Sequence, residues 1–260
     1  MNIYDQRAKI ISDNARNPTL EHAATAFLNA TVDAKYSYCF DWLERPIIQY
    51  PQDILAFQEV VSLTSPDLII ETGIAHGGSL ILSASMLCLL DIMDGIDPRQ
   101  SPRKVVGVDI DIRSHNRKAL DEHPLRFKME LIQGSSIDPH IIDQVHSHAL
   151  AKDSVLITLD SCHTHDHVLA ELEAYAPLVT HNSYCIVGDT IIEDAPEKMV
   201  SKRSWGKGNS PKSAVWEYLG RVKSEGRTSI KGDPLAFVID CHIEDKAVLT
   251  GSPDGYLKRV

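Results

Sequence analysis

The sequence has fewer basic than acidic side chains, which limits the polyanions it can bind. It contains 26 lysines and arginines against 36 aspartates and glutamates, a formal net charge of −10. Proteins bind nucleic acids and anionic membranes mainly by neutralising phosphates with Lys and Arg. The balance therefore predicts that neither a nucleic acid nor a membrane is a partner, although a local basic pocket is compatible with it.

Cysteines and long apolar segments are also scarce. Five cysteines are scattered over 260 residues without a CxxC pair. An odd, dispersed set favours a reducing compartment over a disulfide scaffold. The first residues contain no apolar signal core, and the longest apolar stretch, around Leu80 to Leu90, is too short to span a bilayer. The sequence thus predicts a cytoplasmic protein.

The sequence does contain a series of short apolar runs rich in β-branched residues. Five of them are predicted strands: Leu68–Thr72, Val105–Asp109, Leu131–Gln133, Val155–Asp160 and Tyr184–Asp189. Predicted helices alternate with them: Asp53–Leu63, Ser79–Leu90, Ser114–Glu122, Ile141–Leu150 and His167–Tyr175. Apolar strands that alternate with helices indicate a parallel sheet buried on both faces. We therefore predict a doubly wound, Rossmann-like α/β fold.

The two ends of the chain complete this prediction. Near the C-terminus, the runs Leu235–Asp240 and Ala247–Thr250 are separated by a short link containing HIED, which favours an antiparallel pair. The sheet is thus predicted to be mostly parallel and seven-stranded, with an antiparallel edge. Up to about Ala34 the chain is polar, with apolar residues at helical spacing. We predict an N-terminal helical extension, residues 1–52, followed by one main domain, residues 53–260.

A glycine-rich turn follows the first strand of the main domain. Open α/β sheets bind ligands beyond the carboxyl ends of the strands, where the strand order reverses. Glycines there allow a tight turn and a close approach of the backbone to a ligand. Ser79 is predicted to cap the next helix, whose N-terminus suits the carboxylate of an amino acid. The residues predicted to bind a cofactor in this segment are Glu71, Thr72, Gly73, Gly77, Gly78 and Ser79.

The next two strand ends extend the same predicted pocket. Asp109 ends the second strand, where a carboxylate can accept both ribose hydroxyls of a nucleotide-like cofactor. Ser135 and Ser136 follow the third strand and are predicted to lie beside the adenine. The alternative is a plain strand–helix turn without a ligand. NAD is disfavoured because the glycine spacing is not GxGxxG.

Carboxylates also end the fourth and fifth strands, at Asp160 and Asp189. Such a pair can hold a hard cation such as Mg²⁺, which prefers oxygen ligands. A bound cation would lower the pKa of a hydroxyl, and His163 would then remove its proton as a general base. We predict Asp160 and Asp189 as metal ligands, Asp160 and His163 as catalytic residues, and Asp160 also as a cofactor-binding residue. A transition-metal site formed by the histidines of this segment stays open.

Taken together, the motifs of this chain resemble those of the cephalosporin hydroxylase and rhamnosyl O-methyltransferase family. The resemblance runs from about Trp42 to the C-terminus and includes Pro46, Pro51, Asp53 and the motifs ETGIAHGGS, GVDIDIR, GSSID, LDSCHTHDHVLAELEAYAPLV, WGKGNSPKSAVWEYL and SPDGYLKR. It implies a class I methyltransferase fold that binds S-adenosylmethionine and a divalent metal. It also implies a homo-oligomer and methylation of a hydroxyl on a sugar or another small metabolite.

One departure from the family concerns the metal. The family usually has Glu-Asp at the end of the fifth strand, whereas this chain has Gly188-Asp189. The resemblance therefore carries over Asp160 and Asp189 as ligands but no third one, for which Glu193 is a candidate.

Two other functions stay open. A metal-dependent hydroxylase would use an iron site made from His163, His165 and Asp160, although two histidines so close on one turn fit such a site poorly. A non-catalytic protein could keep the donor pocket after losing the metal, and Gly188 favours that alternative. The sequence does not identify the acceptor, whose pocket we expect from the N-terminal helices and from the loop Ser201–Ser213.

Overall fold

The computed structural model describes residues 2–260, apart from the side chains of residues 198 and 199. The strands are β1 (Phe40–Trp42), β2 (Arg45–Ile47), β3 (Leu68–Thr72), β4 (Lys104–Asp109), β5 (Met129–Gln133), β6 (Val155–Leu159), β7 (Tyr184–Val187), β8 (Phe237–Ile239) and β9 (Tyr256–Arg259). The α-helices are α1 (Ile3–Ala15), α2 (Pro18–Asp33), α3 (Pro51–Thr64), α4 (Gly78–Met93), α5 (Ser114–Asp121), α6 (Pro139–Ala149), α7 (His165–Tyr175), α8 (Glu197–Val200), α9 (Pro211–Glu225) and α10 (Cys241–Ala247).

The main sheet confirms the predicted α/β fold. Its seven strands lie in the order β5-β4-β3-β6-β7-β9-β8. The first five of these are parallel, and β9 is antiparallel to both of its neighbours. The strand order reverses between β3 and β6, which are adjacent. Their carboxyl ends therefore form the crevice in which sheets of this kind bind ligands.

The sheet is buried on both faces, as the continuously apolar strands predict. All five residues of β3 and all four of β7 are buried. One hydrophobic cluster includes Ile70 and Ile157 with the buried face of α7 and α9, and the other includes Ile69 and Leu156 with α3 and α4. Successive residues of one strand thus pack into opposite cores. A slip of one residue would exchange the two faces, so this packing fixes the register of the strands and the position of their ends.

The C-terminal strands differ from the prediction. An antiparallel edge pair is present, but Ala247–Thr250 is not a strand. The strand that pairs with β8 is instead β9, which lies between β7 and β8. The segment predicted as a link forms α10. Asp240 caps this helix, because its carboxylate accepts a hydrogen bond from the backbone N–H of His242. An aspartate cap makes a short helix from a segment that looked like a turn.

The N-terminal region, predicted to be helical, contains two helices and one unpredicted hairpin. Asn2 and Asn17 cap α1 and α2 by accepting hydrogen bonds from backbone N–H groups of the first helical turns. The strands β1 and β2 then pair antiparallel. The first residue of the predicted extension, residues 1–52, lies outside the described residues.

Candidate active site

A cavity of about 330 Å³ opens at the carboxyl ends of β3 and β6. Its walls come from residues 37–38, 46–50 and 53 on one side, and from the turn after β3 on another. The ends of β6 and β7, with residues 251 and 252, close it below. This volume is that of a small-molecule site, and it lies where the strand order predicts a ligand.

The turn between β3 and α4 depends on left-handed backbone conformations. Gly73 and Gly77 have φ angles of +90° and +89°, and Ala75 has a φ of +47°. A Cβ atom on Gly73 would lie 2.0 Å from the carbonyl oxygen of Asp160. Gly73 is therefore required both by its φ angle and by the close approach of two backbones.

Asp109 holds this turn from outside the cavity. Its Oδ2 accepts hydrogen bonds from the backbone N–H groups of Ile74 at 2.8 Å and Ala75 at 3.0 Å. Its Oδ1 accepts one from Asp111 N–H at 2.9 Å. A carboxylate offers about four lone-pair positions, so these bonds leave room for about one more. Asp109 could thus accept one ribose hydroxyl, not both as predicted, while it holds the turn in this way.

Two further side chains fix the carbonyl groups of the same turn. Asn116 donates from Nδ2 to the carbonyl oxygen of Ala75 at 2.8 Å. Arg45, on the β1–β2 hairpin, donates from Nε to the carbonyl oxygen of His76 at 2.9 Å and from Nη2 to Asn116 Oδ1 at 2.8 Å. The turn is therefore bonded to three different elements and is preorganised without a ligand.

Glu71 is buried beneath the turn. Ser79 donates a hydrogen bond to Glu71 Oε1, and Ser83 Oγ lies 3.4 Å from Oε2. Burial raises the pKa of Glu71 to about 8, because the hydrogen bond from Ser79 only partly offsets it and the charge of Asp160 adds to it. The prediction that Ser79 caps α4 was wrong, because the helix begins at Gly78 and its N-cap residue is Gly77.

Several of the predicted cofactor residues do not reach the cavity. Thr72 is fully buried in the sheet, and Gly77 lies against a leucine of α5. Ser135 and Ser136 follow β5 beyond the cavity, and Ser136 is buried. Gly78 does line the cavity, where its Cβ position would be 2.3 Å from the carbonyl oxygen of Pro46. That contact seats the hairpin directly on α4.

Asp160, His163 and Asp189 come together at the base of the cavity. His163 Nε2 lies 3.4 Å from Asp160 Oδ1 and 3.4 Å from Asp189 Oδ2. One ligand-type atom from each residue lies within 4.8 Å of the other two. Burial lowers the pKa of His163, but the hydrogen bond to Asp160 and the charge of Asp189 outweigh it and raise the pKa to about 9. The donor set and spacing fit a divalent cation.

The backbone at the end of β7 shapes this cluster. Asp189 has a φ of +52°, a left-handed conformation that a non-glycine residue adopts at a cost of about 1–3 kcal/mol. Loss of hydration at the base of the cavity raises the pKa of its carboxyl group. The charge of His163 lowers this pKa, and the charges of Asp160 and Asp53 raise it. A Cβ atom on Gly188 would lie 2.8 Å from Asp160 Cγ.

The second histidine of the proposed hydroxylase site points elsewhere. His165 Nδ1 lies 2.8 Å from Ser213 Oγ and its Nε2 lies 3.0 Å from Glu217 Oε2, so both ring nitrogens face α9. Asp160 and His163 therefore have no second histidine beside them among the residues that the structure describes. This arrangement does not support the two-histidine iron site.

His167 supports the loop after β6. Its Nε2 lies 3.1 Å from Ser136 Oγ, 3.2 Å from Ser161 Oγ and 3.6 Å from Glu171 Oε1. Glu171 is fully buried, and Ser161 also donates to it at 2.6 Å. This network links the segment after β5 to the segment that carries Asp160.

Glu193 is not near the metal cluster, so our candidate for the third ligand was wrong. Both of its carboxylate oxygens accept from the backbone N–H of Gly208, at 3.1 and 2.9 Å, and one also accepts from Ser210 Oγ. The carboxylate thus fixes the start of α9.

Two residues that face the cavity, in the connection after the hairpin and at the start of α3, were not predicted as site residues. Asp53 lines the cavity and accepts hydrogen bonds from Thr250 Oγ1 at 2.5 Å and Gly251 N–H at 2.9 Å. Gln49 also lines it, and its Oε1 is buried without a hydrogen-bond partner. Asp53 belongs to the segment that carried the family resemblance, which was the signal available. Gln49 lies in no motif.

Within residues 2–260, none of the helices has both the length and the apolar character that a membrane crossing requires.

The sheet, the glycine turn and the acidic strand ends around one cavity define the class of protein. These three features are characteristic of the class I methyltransferase fold. The family model described as rhamnosyl O-methyltransferase/CmcI matches residues 34–260, and the chain belongs to this family. It is accordingly an O-methyltransferase.

Individual relatives agree with this assignment. The rhamnosyl O-methyltransferase of Mycobacterium bovis is 29% identical over 211 residues, which cover 80% of this chain and 73% of the relative. That of Mycobacterium leprae is 28% identical over 158 residues, 60% of this chain and 62% of the relative. A solved structure of CmcI with Mg and SAM has a TM-score of 0.52 at 18% identity, covering 86% of this chain and 77% of that one, and supports the fold.

Proposed function

We propose that this enzyme transfers the methyl group of S-adenosylmethionine to a hydroxyl of a sugar or another small metabolite, with the help of a divalent cation. One observation carries the proposal: the glycine turn and the cluster of Asp160, His163 and Asp189 border the same cavity. A donor held at the turn and a hydroxyl held at the cluster would therefore meet.

The turn supplies the donor side of the cavity. The N-terminus of α4, at Gly78, presents backbone N–H groups that suit the carboxylate of the methionine portion. The roles predicted for Asp109 at the ribose and for Ser135 and Ser136 at the adenine stay predictions, since none of the three lines the cavity. Glu71 is buried behind the turn, where it accepts a hydrogen bond from Ser79.

The cluster supplies the acceptor side. Asp160 and Asp189 would hold the cation, and a bound cation lowers the pKa of a coordinated hydroxyl. Asp160 and Gly73 are in direct backbone contact, so the cation ligand and the donor turn are held at a fixed separation. We predicted His163 as general base, and its Nε2 atom lies between the two carboxylates, so base catalysis through that atom would compete with its contacts to them.

The acceptor class follows from the relatives. Those of Mycobacterium are named rhamnosyl O-methyltransferases, and we extend a sugar hydroxyl to this chain on that basis. The cavity wall around Gln49 and Asp53 offers polar atoms that suit a polyhydroxylated acceptor. The cytoplasmic location and the homo-oligomer stay predictions from the sequence.

A transfer assay with trideuteromethyl-labelled S-adenosylmethionine tests the proposal. The purified protein is incubated with a panel of rhamnosides and other glycosides, with Mn²⁺ or Mg²⁺ or with EDTA, and products are identified by mass spectrometry and NMR. We expect the labelled methyl group on oxygen, and no transfer in EDTA. Undiminished transfer in EDTA would contradict the metal requirement. A bound donor without transfer to any glycoside would favour the non-catalytic alternative.

A further inference from the structure

The strand-end cluster contains a nitrogen donor in the place where a third metal ligand is needed. Ligands bound to one cation at about 2.1 Å and at right angles to each other lie about 3 Å apart. His163 Nε2 is 3.4 Å from an oxygen of Asp160 and 3.4 Å from an oxygen of Asp189. A contraction of a few tenths of an ångström would thus bring the nitrogen to ligand spacing from each carboxylate, and the ligand atoms of all three residues already lie within 4.8 Å of one another.

We infer that His163 is the third protein ligand of the cation, and that the site therefore binds first-row transition cations such as Mn²⁺ or Co²⁺ in preference to Mg²⁺. This inference rests on the proposed function for the statement that the cation serves methyl transfer. Imidazole suits transition metals, whereas Mg²⁺ prefers oxygen ligands and retains several waters.

The glycine before Asp189 supports this assignment. A side chain at Gly188 would begin 2.8 Å from Asp160 Cγ and 2.9 Å from its Oδ1, well inside the contact distance of about 3.5 Å between carbon atoms. A glutamate at this position would therefore displace the carboxylate of Asp160. Because Gly188 has no side chain, Asp160 keeps its position beside His163.

The His163 ring is also held by a neighbour from another part of the chain. The ring of Trp205 lies against the His163 ring, with centroids 5.6 Å apart. The Arg203 guanidinium in turn lies over the Trp205 ring, 5.4 Å from its centroid. The His163 side chain is 23% exposed, against 41% for Asp160 and 49% for Asp189. A ring restrained in this way loses little freedom on binding a metal.

The ligand role and the base role of His163 exclude each other. A metal-bound Nε2 has no lone pair with which to accept the proton of the acceptor hydroxyl. The two roles therefore predict different metal affinities for a His163 variant in the absence of acceptor. Replacement of a ligand weakens metal binding, whereas replacement of a base leaves it unchanged.

Metal binding to the full chain tests the inference directly. Chelator-treated protein is titrated calorimetrically with Mn²⁺ and with Mg²⁺, without donor or acceptor. In His163→Gln we expect the Mn²⁺ affinity to fall by about tenfold or more, and the Mg²⁺ affinity to fall by less than about threefold. His165→Gln is the matched control, since that ring is bonded to α9, and should change neither value. Thermal melts of both variants establish that they fold.

A second measurement needs no variant. Pulsed electron paramagnetic resonance of Mn²⁺ in the wild-type protein should show coupling to a directly bonded ¹⁴N nucleus. Mn²⁺ bound without this coupling would overturn the inference, as would an unchanged Mn²⁺ affinity in His163→Gln. A separate titration with S-adenosylmethionine distinguishes these outcomes from failure of the proposed function.

Discussion

Gly73 lies where the donor turn crosses the backbone of Asp160, and no other residue fits there. Gly73→Ala would place a Cβ atom 2.0 Å from the Asp160 carbonyl oxygen at a φ of +90°. We expect a loss of about 2 kcal/mol or more in the free energy of unfolding. The affinity for S-adenosylmethionine should fall at least about tenfold, because the turn must move.

Gly95→Ala is the control for this substitution. Gly95 also has a positive φ, +72°, but nothing lies within 4 Å of its Cβ position. It should cost about 1 kcal/mol in urea unfolding without changing the calorimetric affinity for the donor. Equal losses of donor affinity in the two variants would mean that the contact with Asp160 is unimportant.

Glu71 gives a pH dependence with a defined sign. Its pKa is about 8 in the folded protein against 4.5 for a free side chain, so the folded state binds the proton more tightly. Its contribution to stability is therefore complete below about pH 4.5 and lost as the pH rises to about 8. Glu71→Gln replaces the protonated carboxyl with a neutral amide.

Thermal melts across this range test the assignment. The melting temperature of Glu71→Gln relative to wild type should increase as the pH rises from about 5 to about 8. A constant difference across the range would show that the carboxyl group of Glu71 does not titrate there. Taking the difference between the two proteins removes the contributions of all other groups.

At the scale of elements, the sequence predicted the five parallel strands because their apolar runs are continuous and buried on both faces. It failed for elements whose formation depends on one cap or one contact. The segment of α10 was mistaken for a link because its helix depends on the Asp240 cap. The hairpin has strands of three residues, too short for a periodic pattern, and it is seated by its contact with Gly78.

The hairpin affects the donor turn through Arg45. Arg45→Met removes the charged donors to the His76 carbonyl oxygen and to Asn116, each worth about 1.5–3 kcal/mol when buried. We expect at least a tenfold weaker affinity for S-adenosylmethionine, together with a fall of several degrees in melting temperature. Arg7→Met on α1 is the matched control and should leave calorimetric binding unchanged. Normal donor binding by Arg45→Met would mean that the turn is held without the hairpin.

At the scale of the whole molecule, a buried ion pair joins α4 to the start of β5. Lys128 Nζ lies 2.5 Å from Asp91 Oδ2, and both side chains are fully buried, with Arg103 Nη1 2.9 Å from the other carboxylate oxygen. Asp91→Ala leaves a buried ammonium group without its partner. We expect this to cost about 3–5 kcal/mol in the free energy of unfolding.

The double variant Asp91→Leu/Lys128→Met separates the charge from the packing. It removes the charges of Asp91 and Lys128, keeps most of the volume, and leaves Arg103 its contact with Asp94. Its free energy of unfolding should therefore lie closer to wild type than that of Asp91→Ala. Denaturant unfolding monitored by circular dichroism compares the three proteins. A double variant as unstable as the single one would show that the pair contributes mainly through its hydrogen bonds to neighbouring groups.

The site was predictable to the extent that it depends on strand ends. Asp160 and Asp189 end adjacent parallel strands, and this topology alone brings them together. The direction of His163 relative to them depends on Trp205 and on the loop after β6, which no periodicity describes. The cavity wall around Gln49 and Asp53 comes from the packing of the N-terminal region on α4 and was not predictable for the same reason.

The most direct test of the account is a calorimetric titration of the wild-type protein with S-adenosylmethionine, with S-adenosylhomocysteine and NAD as parallel ligands. The donor cavity between β3 and β6 predicts saturable binding of S-adenosylmethionine and of its demethylated product, one per chain, and no binding of NAD. Absence of heat with both methyl-donor ligands, together with saturable binding of NAD, would contradict it.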